Sequence, residues 1–245
     1  MLGLPDNITA CLFDMDGVIT QTAKVHDAAW KEMFDGFLRD WSTAHNEPFK
    51  PFDPVADYDE YVDGKPRLEG TASFLESRGI KLPEGEESDP AGKQTVYGLS
   101  NQKNALVQKV IERDGVQPYE GSVRYVNAAR QAGLRTAIVS SSANTVAVLK
   151  AAGVADLFEA RVDHQVAEEQ HLKGKPAPDT FLQAAKMLGV EAADAVVYED
   201  ALAGVAAGRA GKFGFVVGVD RVGQADQLHA HGADVVVKDL GELLS

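Results

Sequence analysis

The chain has 245 residues, 44% of them apolar and 25% charged, the balance of a globular protein large enough for one domain or for a core with an insertion. A formal net charge of −13 repels nucleic acid and anionic membranes, and no apolar run approaches the roughly 18 residues of a membrane span. With that charge, any phosphate site needs local cations or helix N-termini.

The opening segment carries no basic stretch ahead of an apolar one, so no signal peptide is expected. The single cysteine, Cys11, forms no internal disulfide and suits a reducing cytoplasm, where the protein is expected to act as a monomer. Five short apolar runs, at residues 10–13, 136–139, 195–198, 215–219 and 234–237, predict buried parallel strands. Helical segments at 145–152, 180–188, 204–210 and 224–231 separate the last four. Strand alternating with helix implies an α/β fold with a doubly wound parallel sheet, whose ligands sit beyond the C-terminal strand ends. Residues 22–115 break the rhythm. Candidate helices at 26–38, 69–77 and 103–113 are joined by polar, Pro/Gly-rich stretches such as 83–92. The expected organisation is a catalytic core of residues 1–21 and 116–245, with 22–115 inserted after the first strand as a helical cap over the strand ends. Residues 40–61 and 81–93 have no readable pattern.

The strand ends gather acids and hydroxyls. In Phe13-Asp14-Met15-Asp16-Gly17-Val18, side chains two apart on an extended backbone point the same way, so Asp14 and Asp16 can face one pocket. Adjacent carboxylates repel unless a cation joins them, and an all-oxygen set favours a hard ion such as Mg²⁺. One carboxylate can then attack phosphorus while the other moves a proton. A calcium loop is the competing reading of D-x-D. It needs an acid or amide at its fifth position and glycine at its sixth, where this chain has Val18 and Ile19. A surface turn is the plain alternative. Ser140-Ser141-Ser142-Ala143-Asn144, at a strand end before a helix, offers hydroxyls and backbone N–H groups to an anion, or simply a helix N-cap. In Gly174-Lys175-Pro176-Ala177-Pro178 two prolines stiffen the chain around Lys175, which can neutralise a phosphoryl group or just face solvent. Glu199 and Asp200 follow an apolar strand, placed to complete a metal site with Asp14 or to cap the next helix. That helix has glycines spaced four then three, which is not the dinucleotide fingerprint, so its small residues point to close packing.

Taken in order, these four motifs resemble the signature motifs of the haloacid dehalogenase superfamily over about residues 8–21 and 116–220. The second aspartate, Asp16, is similar to the phosphatase and mutase branch, and within it to the β-phosphoglucomutase-like subfamily. That likeness runs through Thr22, His26 and Trp30, the segment Val62-Asp63-Gly64-Lys65-Pro66-Arg67, and Gln102-Lys103-Asn104. The resemblance implies Asp14 as nucleophile, Asp16 as acid and base, and Ser140 and Lys175 on the transferring phosphate. It implies Mg²⁺ held by Asp14, the Asp16 main-chain carbonyl, Glu199 and Asp200. Thr22, His26, Arg67, Lys103, Ser141, Ser142 and Asn144 would bind a small phosphorylated sugar or metabolite. Three positions depart from the subfamily pattern: Gln21 where an acid is usual, Ala143 in place of a distal-phosphate lysine, and Ala201 where a serine is common. The expected activity is conversion of β-glucose 1-phosphate to glucose 6-phosphate, with hydrolysis of a small phosphorylated metabolite as the alternative and a silent sugar-phosphate-binding protein as a third possibility. Intact Asp14, Asp16, Lys175 and Asp200 argue against the third.

Overall fold

A computed structural model describes residues 2–244. The chain forms two compact units, one running up to Thr22 and again from Val116, the other spanning Ala23–Gly115. The first is built on a six-stranded sheet in the order β3-β2-β1-β4-β5-β6. Its strands are β1 (Ala10–Phe13), β2 (Arg135–Val139), β3 (Ala160–Val162), β4 (Ala195–Glu199), β5 (Phe215–Val219) and β6 (Val235–Val237), and every pairing is parallel. This is the expected doubly wound sheet. β1 and β4 are buried throughout, as parallel strands covered on both faces must be.

Side chains alternate between two packed faces. Ala10, Leu12, Ala137, Val139, Ala195 and Val197 meet Phe181, Ala184, Ala185 and Leu188 of α7 (Asp179–Leu188). On the other face Phe13 stacks on Tyr198 with ring centroids 4.4 Å apart, and Tyr125 of α4 (Glu120–Gln131) closes edge-on against both. The remaining connections are α5 (Thr145–Ala151), α6 (His164–Glu169), α8 (Leu202–Ala210) and α9 (Ala225–His231). A Cβ on Gly208 of α8 would lie 3.2–3.3 Å from Val216 and Val197, so its lack of one lets the helix settle on the sheet. β3, α4 and α6 were not expected. β3 is three residues at a sheet edge, α6 has six residues, and the polar start of α4 hides its apolar face of Tyr125, Val126 and Ala129.

The second unit is helical, with α1 (Ala23–His45), α2 (Arg67–Ser77) and α3 (Val96–Asp114). Its core is aromatic: Phe34 lies 5.2 Å from Phe52 and 4.1 Å from Phe74, with Trp30 stacked 5.3 Å away. The unreadable stretch after Asp40 becomes the last turn of α1, an extended run that buries Phe52, and a π-helical turn at Tyr58–Val62. Asp35 holds that run by accepting from Phe52 N at 2.9 Å. Residues 81–93 have no regular structure. Buried Asp89 organises them, accepting from Thr95 Oγ1 at 2.7 Å, Lys93 Nζ at 2.5 Å and Glu86 N at 3.2 Å. Among the described residues no helix is long and apolar enough to cross a membrane.

Candidate active site

The strand order reverses at β1, whose neighbours are β2 and β4, and the crevice beyond the C-terminal ends of such strands is where ligands bind. Register decides which side chains arrive there together. Phe13 is level with both Ile138 and Tyr198, and Asp14 N donates to Tyr198 O at 2.9 Å. Asp14, Ser140 and Glu199 therefore leave the sheet at nearly one height. Lys175 reaches the same point from the segment before α7. Its side chain is 1% exposed, and its ammonium lies 2.5 Å from Asp14 Oδ1 and 2.5 Å from Glu199 Oε1, over the Phe181 ring at 5.0 Å.

Burial pushes the Asp14 carboxyl well above its ordinary value; Lys175 opposes the shift, while Glu199 and Asp16 add to it. Burial works to lower the Lys175 ammonium, but the carboxylates of Asp14 and Glu199 outweigh it and hold it above its usual value. Lysine thus stays charged, while crowding around Asp14 favours a proton or a further cation. Asp14, Glu199 and Asp200 each offer an oxygen within 4.8 Å of the others. An all-carboxylate donor set of this kind fits a divalent hard cation. Glu199 is fully buried; its Oε2 accepts from Ala201 N at 3.0 Å, and a Cβ on Gly204 would overlap its carboxylate. The glycine in α8 therefore makes room for the acid.

The loop after Asp14 turns tightly. Gly17 has φ +85°, in the left-handed region, and a Cβ there would overlap the Asp200 carboxylate. Thr22 Oγ1 donates to Asp16 Oδ1 and lies 2.8 Å from Thr20 Oγ1, so two threonines orient the second aspartate. Beyond β2, Ser140 Oγ accepts from Ser142 N at 3.1 Å and Ser142 Oγ from Asn144 N at 3.1 Å. Ser140 and Asn144 are buried, whereas Ser141 and Ser142 are half-buried.

In the helical unit, Lys103 Nζ lies 2.8 Å from His26 Nδ1 and 4.8 Å from the Trp30 ring centroid. Arg67, the first residue of α2, reaches Asn101 Oδ1 at 3.5 Å. Asn101 was not singled out in the sequence; Gly204 stood there only in a glycine spacing read as close packing, and Thr20 only within the opening motif. Each acts through a contact made by the fold, and the sequence pattern did not show that partner beforehand.

Known proteins resemble the chain along its whole length. A family model described as haloacid dehalogenase-like hydrolase matches residues 8–212. The chain is 54% identical to a β-phosphoglucomutase of Mycobacterium tuberculosis (strain CDC 1551 / Oshkosh), covering 100% of this chain and 94% of that protein. It is 32% identical to the β-phosphoglucomutase of Bacillus subtilis (strain 168), over 96% of this chain and 91% of that one. The crystal structure of β-phosphoglucomutase from Clostridium difficile superposes with a TM-score of 0.74 at 26% identity, covering 96% and 93% of the two chains. With its sheet and motif segments so matched, the chain is an enzyme belonging to the haloacid dehalogenase-like hydrolase family.

Proposed function

We propose that the protein is a Mg²⁺-dependent β-phosphoglucomutase that interconverts β-glucose 1-phosphate and glucose 6-phosphate through an aspartyl-phosphate on Asp14. The observation that carries this reading is the 54% identity to a β-phosphoglucomutase along the whole chain, the inserted helical unit included. Residues 22–115 would act as the cap of a catalytic core made by 1–21 and 116–245. Bound Mg²⁺, for which Asp14, Glu199, Asp200 and the Asp16 carbonyl are the assigned ligands, would neutralise charge on the phosphoryl oxygens.

The chain's own groups account for the rest. Phosphoryl carried on Asp14 passes to the 6-hydroxyl of β-glucose 1-phosphate. The new P–O bond forms as the acyl-phosphate bond breaks, and Asp16 takes the hydroxyl proton. The resulting bisphosphate turns over and its 1-phosphoryl passes to Asp14, while Asp16 returns the proton to the departing C1 oxygen. Thr22 orients Asp16 for both transfers. Lys175, already an ammonium against Asp14, opposes the charge that spreads over the phosphoryl oxygens. Ser140 assists on that phosphate. Ser141, Ser142, Asn144 and Arg67 are assigned to the phosphate that does not react, and His26 with Lys103 to sensing substrate.

A second reading, hydrolysis of a small phosphorylated metabolite, is favoured by Ala143, where the subfamily has a lysine for the distal phosphate. The test is one reaction with two readouts. Wild-type protein with Mg²⁺, β-glucose 1-phosphate and a priming sugar bisphosphate should yield glucose 6-phosphate with little free phosphate, and Asp14→Asn should yield neither. Free phosphate appearing mole for mole with substrate lost would replace the mutase with the phosphatase.

A further inference from the structure

The segment after β5 reaches back to both loops that carry the metal-binding acids. Asp220 closes it into a tight turn, its Oδ1 accepting from Gly223 N at 2.6 Å and Gln224 N at 2.8 Å. From that turn Arg221 Nε donates to Gly17 O at 2.7 Å, and Gln224 Nε2 donates to Asp200 O at 3.0 Å. Arg221 is itself held on three sides. Its Nη1 donates to Lys238 O at 2.7 Å and lies 3.7 Å from Asp239 Oδ2, and its guanidinium lies over the Tyr119 ring, 3.5 Å from the centroid. The side chain is only 14% exposed. A planar fork fixed in this way presents its donors in one direction, which a flexible ammonium does not.

The two carbonyls that Arg221 and Gln224 hold lie beside the acids. Gly17 follows Asp16 and abuts the Asp200 carboxylate so closely that a Cβ would overlap it. The rest of that loop is also tied down: Ser122 Oγ donates to Val18 O at 2.6 Å, Tyr119 N to Ile19 O at 2.8 Å, and Gly17 N to Thr20 O at 2.8 Å. Tyr119 thus holds the loop through its backbone while its ring supports Arg221. One turn after β5 sets the loop following Asp14 and the backbone of Asp200 relative to each other.

We infer that Arg221 and Gln224 are positioning residues for the metal-binding carboxylates, acting through the Gly17 and Asp200 carbonyls. The inference rests on the proposed metal reading of Asp14, Glu199 and Asp200. Mg²⁺ demands near-ideal octahedral geometry with bonds of about 2.0–2.1 Å, so small displacements of ligand backbones weaken it. Groups that orient metal ligands without touching the ion are typically worth about 10–100-fold in affinity.

The test is calorimetric titration of the full-length, metal-free protein with MgCl₂ alone, beside melting in chelator. Arg221→Met and Gln224→Met remove the donors while keeping much of the side-chain bulk. Each should raise the Mg²⁺ dissociation constant about ten-fold or more in protein that is still folded. Arg221→Lys, which can reach Gly17 O but cannot reproduce the fork, should fall between wild type and Arg221→Met. A merely structural role would lower the melting temperature and leave the affinity of the folded protein where it was. If Arg221→Met does not fold, the partly exposed Gln224 carries the test. Affinities within about two-fold of wild type in both donor-lacking variants, well short of the effect expected of such groups, overturn the inference and leave the metal reading standing. No Mg²⁺ binding by wild type overturns both.

Discussion

Replacing Lys175 by methionine probes the buried charge cluster directly. The substitution keeps an unbranched apolar side chain but loses the ammonium that lies 2.5 Å from both Asp14 Oδ1 and Glu199 Oε1. Without metal, Asp14 is then left in a buried site with carboxylates as neighbours and escapes by taking up a proton. Its folded pKa, already raised by burial, rises further, so the folded state holds a proton that the unfolded chain releases. The sign follows: the variant loses stability as pH climbs from the ordinary carboxyl value of 3.8 through the raised folded value. From that 3.8 to pH 7 is 3.2 pH units, which at about 1.36 kcal/mol each gives a ceiling of about 4 kcal/mol for Asp14 alone. At pH 5 the same ceiling is about 1.6 kcal/mol. Glu199 loses the same partner, and the total belongs in the range of about 3–5 kcal/mol found when one member of a buried ion pair is removed. Urea unfolding of wild type and Lys175→Met in chelator, at pH 7 and pH 5, measures both numbers. A loss under about 1 kcal/mol at pH 7, or equal losses at the two pH values, would refute the reasoning: the lysine would not be holding ionised acids.

Further outcomes follow from the same geometry. Because burial, with Glu199 and Asp16, raises the Asp14 carboxyl, protons compete with a divalent cation for its ionised form at higher pH than for an ordinary carboxylate. Mg²⁺ affinity should therefore fall as pH is lowered toward the raised value. Titrations in two buffers of different ionisation enthalpy should give different heats, and identical heats would show that no proton leaves. Gly17→Ala should lose both stability and Mg²⁺ affinity, since alanine is strained at φ +85° and its Cβ would overlap the Asp200 carboxylate. The strain alone costs about 1 kcal/mol or more. A Gly17→Ala variant with wild-type melting and wild-type affinity would show that the loop has room to move.

Much of the fold was legible because burial writes itself into composition. Parallel strands covered on both faces are short unbroken apolar runs, and β1, β4 and β5 stand where such runs stand. β3, three residues at the edge, has too little length for a signal. The candidate helices of the insertion were found but came out short: the expected 26–38 runs as Ala23–His45 and 103–113 as Val96–Asp114. Their ends are set by local contacts, such as Thr95 Oγ1 accepting from Gly98 N at 2.9 Å, rather than by apolar period. The aromatics after Asp40 have no period because Phe52 reaches the core from an irregular backbone that Asp35 and Lys31 hold.

What the sequence by itself determined is the chemistry available at the strand ends: which carboxylates, hydroxyls and lysine follow which apolar run, and the α/β class that sends strand ends to one edge. That information is local, because a residue's place directly after a strand is a matter of chain order. What only the tertiary structure decided is partnership. Lys175 stands 161 positions from Asp14, and its bond to both Asp14 and Glu199 depends on how β1, β4 and the segment before α7 converge. Gly204 makes room for Glu199, and Arg221 holds Gly17 across 204 positions of chain. A single glycine or arginine carries no mark of what it will face, since the contact comes into being when strands distant in sequence pair in register.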